Sequence, residues 1–168
     1  MGAAEQPGVR GEPGALIEAY RAAELPVIWI LHTDGDRPFR ADSGLVRVQD
    51  WLDPRSGEPV LHKTTRNSFT STRLAELLAD LGVRRLAVTG IQTEQCCETT
   101  ARLAGDLGYD VDFVTEATRT FPIADPDTGD EQGVEQIARA TEFALRGRFA
   151  RIATVDGLVR EMEPALVG

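Results

Sequence analysis

The sequence predicts a three-layer α/β/α domain built on a central parallel sheet, and three observations carry that prediction. The nearly unbroken apolar run Pro26-Val27-Ile28-Trp29-Ile30-Leu31 has the character of a strand covered on both faces, as strands of parallel sheets are. A second short run, Leu86-Ala87-Val88, passes through a glycine turn straight into a helical pattern. Beyond it, strand and helix patterns go on alternating, which implies right-handed crossovers with helices on both faces of one sheet.

Taken in order, residues 1–13 are rich in glycine and proline and read as a loose lead-in to a single domain spanning 1–168. Leu16, Ile17, Tyr20 and Ala23 recur at helical spacing and predict a helix over 15–24. The apolar run at 26–31 is the first strand. Residues 34–61, rich in Asp, Gly, Arg and Pro, have no period and read as a long excursion bearing pocket residues. Ser71 or Thr72 can cap a helix whose Leu74, Leu77, Leu78 and Leu81 face inward, with Gly82 as its stop. A strand over 85–88, a helix over 96–107 ended by Gly108, and a strand over 111–114 follow. A helix over about 132–145, with Val134, Ile137, Ala138, Ala140, Thr141 and Ala144 on its apolar side, leads to a last strand over 150–154.

Composition narrows the function. A chain of 168 residues can bury a full core without disulfides or metals. Its net charge of −9, with no Lys/Arg run, argues against nucleic-acid and anionic-membrane surfaces and favours a small-molecule substrate. No apolar stretch approaches the roughly 20 residues of a membrane span, and the N-terminus lacks the basic and apolar blocks of a signal peptide, so a cytoplasmic location is expected. Cys96 and Cys97 are the only cysteines and, as neighbours, are poorly placed for an ordinary structural disulfide.

The chemistry concentrates where the second apolar run ends. A β-branched run, a turn at Gly90 and a cysteine opening a helix place the Cys96 thiol at a helix N-terminus, where the dipole and free N–H groups favour thiolate. Lys63 is the only lysine among 18 basic side chains, which suggests a role that arginine cannot fill. His32 sits at a strand end near the pocket. Two histidines without Asp-x-His spacing predict no metal, and no cofactor is expected. Cys96 and Arg102 match the Cys-x5-Arg spacing of tyrosine phosphatases, but the residues between them contain no glycine to wrap a phosphate.

Gly90-x-x-Thr93-x-x-Cys96, followed by Thr99-Thr100-Ala101 and Gly108-Tyr109, resembles the core signature of the isochorismatase-like cysteine hydrolases, whose fold is Rossmann-like. Lys63, with Phe69 six positions on and then Leu74, Leu77 and Leu78, matches the same family's lysine-to-phenylalanine stretch. The resemblance implies that Cys96 attacks an amide, ester or related carbon, with Lys63 holding the thiolate. It also implies a cis peptide at Ile91–Gln92 that turns the Gln92 and Cys96 N–H groups toward an oxyanion, and Phe69 packed at the pocket. Relatives begin with an apolar-apolar-Asp strand whose aspartate completes the triad, and nothing before Pro26 resembles it. Asp34 and Asp36, at the carboxyl end of the first apolar strand, are the candidate substitute acids, with Glu94 and Glu116 behind them. Cys97 reads as an apolar contact.

The expectation is a hydrolase of a small amide or related metabolite. The alternative is a non-catalytic or weakly active homologue that uses the same pocket as a binding or assembly module. Lacking the usual first strand, the sheet should expose an edge, and self-association into a homodimer or larger assembly would cover it.

Overall fold

The computed structural model describes residues 12–35 and 38–162, and strand and helix alternate through it as the sequence predicts. Helix α1, Glu12–Ala22, ends two residues early because Glu24 takes a positive φ of 54° and Pro26 follows. Strand β1, Trp29–His32, is the second half of the apolar run extended by one polar residue. It pairs in parallel with β2, Val60–Lys63, whose first two residues the sequence reading left inside the long excursion and whose strand it did not predict, and the register sets His32 opposite Lys63. In β2 only Leu61 and Lys63 are buried, so its two-residue period is too short to show in the sequence.

Helix α2, Leu74–Asp80, starts where Thr72 Oγ1 accepts the Leu74 N–H at 3.0 Å, and Gly82 stops it at φ +66°. Strand β3, Arg85–Ile91, leads through one wide π-helical turn, Thr93–Cys97, into α3, Glu98–Asp106. Strand β4, Asp110–Arg119, is longer than predicted. A hairpin of β5, Ile123–Ala124, and β6, Glu131–Gln132, takes up the start of the predicted last helix, so α4 runs Val134–Leu145. Strand β7, Arg151–Ile152, is followed by α5, Val155–Met162, which the sequence reading missed.

The parallel layer comes in two halves. One is β1-β2 and the other is β3-β4-β7, and among the described residues no strand joins them. β4 carries the core on both of its faces. Val111 and Phe113 pack with Ala101, Ala104 and Leu145 on one side, while Val114 and Ala117 pack with Leu16, Val155 and Leu158 on the other. Phe113, Val114 and Leu145 are fully buried, and each such side chain contributes about 1.5–3 kcal/mol.

Two ion clusters pin the strand starts. Asp112, buried in the middle of the three-stranded half, accepts from Arg85 Nε and Arg151 Nε at 2.6 Å each, and both arginines reach on to Glu161 of α5. Glu58 accepts from Arg21 Nε at 2.6 Å, Arg21 Nη2 at 2.9 Å, Trp29 Nε1 at 2.7 Å and the Arg55 N–H at 3.0 Å, tying α1 to β1.

The Arg21 hydrogen bonds, aided by those from Arg55 and Trp29, hold the Glu58 carboxyl down at about 2 against an ordinary value of 4.5. A depressed carboxyl contributes stability that is present above pH 4.5 and lost as pH falls toward 2. Thermal melts across that window should therefore show Glu58→Gln less stable than the parent at neutral pH and the gap narrowing as pH drops. A gap that stays constant with pH would remove Glu58 as the titrating group.

Candidate functional site

The site forms where β1, β2 and β3 end. Lys63 is the last residue of β2, only 3% exposed, and its Nζ has three protons to place. They meet three acceptors: the Thr65 carbonyl at 2.9 Å, His32 Nδ1 at 3.2 Å and Cys96 Sγ at 3.3 Å. Parallel pairing explains the His32 contact, since residues opposite in register project from the same face. Cys96 lies in the turn before α3 and is half-buried, so its sulfur is reachable from the cavity as well as from Lys63.

The chain must turn sharply to bring Cys96 there. Gly90 adopts φ +122°, a conformation that disfavours a side chain, and the Ile91–Gln92 peptide is cis. The Gln92 carbonyl then receives the Gln95 and Cys97 N–H groups at 3.3 and 3.1 Å. A Cβ at Gly90 would lie 3.9 Å from the Cys97 sulfur, so backbone conformation rather than crowding selects glycine.

Burial pushes the Cys97 thiol far up, and the neighbouring Cys96 adds to this. His32 is held below its ordinary value by burial, then by the Lys63 and Arg66 charges, Arg66 lying 3.3 Å from its Nε2. A neutral imidazole can accept from the ammonium, whereas a charged one would repel it.

The candidate acids are elsewhere. Asp34 Oδ2 lies 3.8 Å from His32 Nε2, on the far side of the ring from Lys63, and Asp36 lies outside the described residues. Glu94 accepts from the Thr120 hydroxyl at 2.5 Å, and Glu116 accepts the Val155 N–H at the start of α5. Among the described residues no carboxylate is in ion-pair contact with Lys63. Phe69 is not in the cavity wall: it is 8% exposed and stacked on Tyr109, with ring centroids 5.9 Å apart.

A cavity of about 1010 Å³ opens onto Lys63 and Cys96 and continues down between β1 and β3, with Ile28, Ile30, Leu74, Leu78 and Val88 in its wall. Ser68 and Thr100 also line it, joined by a hydroxyl contact of 3.2 Å that fixes the segment after β2 against α3. The sequence motif included Thr100 but gave it no partner, because nothing local marks a pair 32 residues apart. No group of His, Cys, Asp or Glu among the described residues could hold a metal ion, and none of the described helices is long and apolar enough to cross a membrane.

Comparison with known proteins gives one consistent picture. The sequence model of the family described as "Isochorismatase domain" matches residues 3–155. The uncharacterized isochorismatase family protein YrdC of Bacillus subtilis is 30% identical over 151 residues, 87% of this chain and 79% of its own length. Nicotinamidase 3 of Arabidopsis thaliana is 36% identical over 105 residues, 62% of this chain, which spans about half of that protein, 47%. A crystal structure of an isochorismatase-family protein from Chromobacterium violaceum matches with a TM-score of 0.86 at 27% identity, covering 93% of this chain and 81% of that one.

The contrast between the cysteines gives a direct test. Iodoacetamide labelling near neutral pH, read by peptide mapping, should modify Cys96 at least about tenfold faster than Cys97, because Cys96 is reachable from the cavity whereas Cys97 is buried and its thiol is pushed up. Equal labelling of both, or Cys97 first, would overturn the assignment.

Proposed function

The chain belongs to the isochorismatase family, and from that membership and the 3.3 Å Lys63–Cys96 contact we propose that it hydrolyses small amides or related metabolites through a Cys96 nucleophile. The contact is the observation that carries the reading. An ammonium bonded to sulfur favours thiolate, and Nicotinamidase 3, an amide hydrolase by its name, is a relative at 36% identity.

The chemistry follows from the positions. The Cys96 thiolate attacks the carbonyl carbon of a substrate standing in the upper cavity, and the developing oxyanion is met by the Gln92 and Cys96 N–H groups. The thiol's proton passes to solvent as the thiolate forms, and solvent returns a proton to the departing nitrogen as the C–N bond breaks, so that the amine leaves and a thioester remains. Water then adds to the thioester, releasing the acid, restoring the thiolate and giving a proton back to solvent. Lys63 holds the sulfur in line, while neutral His32 and the Thr65 carbonyl hold Lys63. A carboxylate at the ammonium would assist both proton transfers, and such assistance is worth typically about 10²- to 10⁴-fold.

A cytoplasmic, self-associating chain completes the reading, with Ile91 at 60% exposure and Phe121 at 57% as apolar surface available to a second copy.

Two Lys63 variants test the reading. Lys63→Met removes a buried cation that faces no carboxylate among the described residues, so the melting temperature should hold or rise while Cys96 alkylation and hydrolysis of a panel of small amides both fall. Lys63→Arg keeps the charge but brings a bulkier planar group, and should lower kcat/KM by about 10²-fold. If Lys63→Met hydrolyses the panel as fast as the parent, the lysine takes no part. If Cys96→Ser does so, the reading fails altogether.

A further inference from the structure

A second cavity, of about 690 Å³, lies at the other end of the sheet from Cys96. It opens where β3 and β4 begin and where the loop after α4 enters β7, so the length of seven-residue β3, about 20 Å, separates it from the reacting sulfur. Four arginines line it, Arg85, Arg146, Arg148 and Arg151, in a chain whose net charge is −9. Two of them are committed: Arg85 and Arg151 share buried Asp112 and close on Glu161. The other two are not. Arg146 has a 3.4 Å contact with Glu142, and the Arg148 side chain has no hydrogen bond or ion pair among the described residues. Both stand on a fixed loop. Gly147 turns the chain at φ +70°, and the carbonyl of fully buried Leu145 receives the Arg148, Phe149 and Ala150 N–H groups at 3.1, 3.0 and 3.2 Å. The Phe149 carbonyl is pressed against α3 at Gly105, where a Cβ would come within 2.8 Å of it.

We propose that this cavity binds a nucleoside phosphate, because three features that suit such a molecule meet there. Arg146 and Arg148, two residues apart on one loop, match the charge of a phosphate dianion, and guanidinium forks hold phosphate oxygens in pairs. Tyr109, Phe149 and Ile152 line the same cavity and give a flat ring an apolar wall. Tyr109 is stacked on Phe69, and Phe149 carries the Arg102 guanidinium 4.8 Å from its ring centroid, so both rings are held. Asp110 is the third feature. Its exposed carboxylate has no hydrogen bond or ion pair among the described residues, and it can only accept, which suits the hydroxyls of a ribose. Inorganic phosphate would meet Asp110 as a like charge, and an uncharged nucleoside would leave Arg146 and Arg148 unmatched. The ligand therefore needs both ends. The volume also lies inside the range of roughly 300–1,000 Å³ that small-molecule sites occupy.

Binding there depends on neither Cys96 nor Lys63, so it stands apart from the hydrolase reading. Calorimetric titration of the full chain takes four probes: AMP, adenosine, inorganic phosphate and phenyl phosphate. AMP should bind at least about tenfold more tightly than each of the others, and its binding should weaken as salt rises. Hydrogen exchange in the presence of AMP should slow at residues 109–112 and 146–152 and stay unchanged at 92–97. Arg148→Gln should weaken AMP by about tenfold, whereas Arg148→Lys should keep most of the binding. Asp110→Ala should bring AMP down to the level of phenyl phosphate. Arg148 and Asp110 are exposed, so all three variants should melt with the parent. Absence of AMP binding at millimolar concentration overturns the site, and so does protection at 92–97 in place of 146–152. Adenosine binding as tightly as AMP removes the arginines from the site. Inorganic phosphate binding as tightly as AMP reduces it to an anion patch and ends the nucleoside assignment, as does an Arg148→Gln variant that binds AMP like the parent.

Discussion

Everything at the site depends on where one ammonium group can put its three protons. Lys63 is buried at the end of β2, and its bonds to Thr65, His32 and Cys96 reach its own segment, the neighbouring strand and the other half of the sheet. The bond to Cys96 crosses between the half-sheets at their carboxyl ends. The 3.2 Å Ser68–Thr100 hydroxyl contact crosses nearby, so the reacting sulfur and its cation are held by two links rather than one. Lysine suits this place because its charge is compact and its three donors rotate freely, where a guanidinium would present a rigid fork.

Strong local signals made much of the fold legible. The apolar run before His32, the Gly82 and Gly108 stops, and the apolar spacing of α2 and α4 each follow from a short-range rule. Boundaries moved where a local rule met a tertiary one: the hairpin partner of Ile123–Ala124 claimed Glu131 and Gln132 before α4 could begin. Helix α5 was in principle readable, since Val155, Leu158, Val159 and Met162 recur at helical spacing. β2 was not. Four residues with two buried side chains, one of them charged, look like loop until a neighbouring strand gives them a partner.

For the site, the chain placed Cys96 and Lys63 on separate elements by motif, and the structure puts their reacting atoms 3.3 Å apart. The His32–Lys63 contact lay beyond reach because it depends on the β1-β2 register. Spacing along the chain does not locate an acid at Lys63. Asp34 follows the right strand, yet its carboxylate lies on the outer side of His32, where the turn to Phe39 holds its backbone. Glu94 and Glu116 also follow strands, and each is committed to a hydroxyl or a helix start.

The burial of Cys97 has a consequence for oxidative chemistry. An oxidised cysteine is commonly rescued when a nearby thiolate captures the sulfenic acid as a disulfide. Cys97 is next in sequence, but its sulfur is sealed in the core and kept as neutral thiol, so it cannot serve as that resolving partner. A sulfenic acid formed at Cys96 therefore has to be reduced by a thiol arriving through the cavity, and without one it is open to over-oxidation to the irreversible sulfinic form.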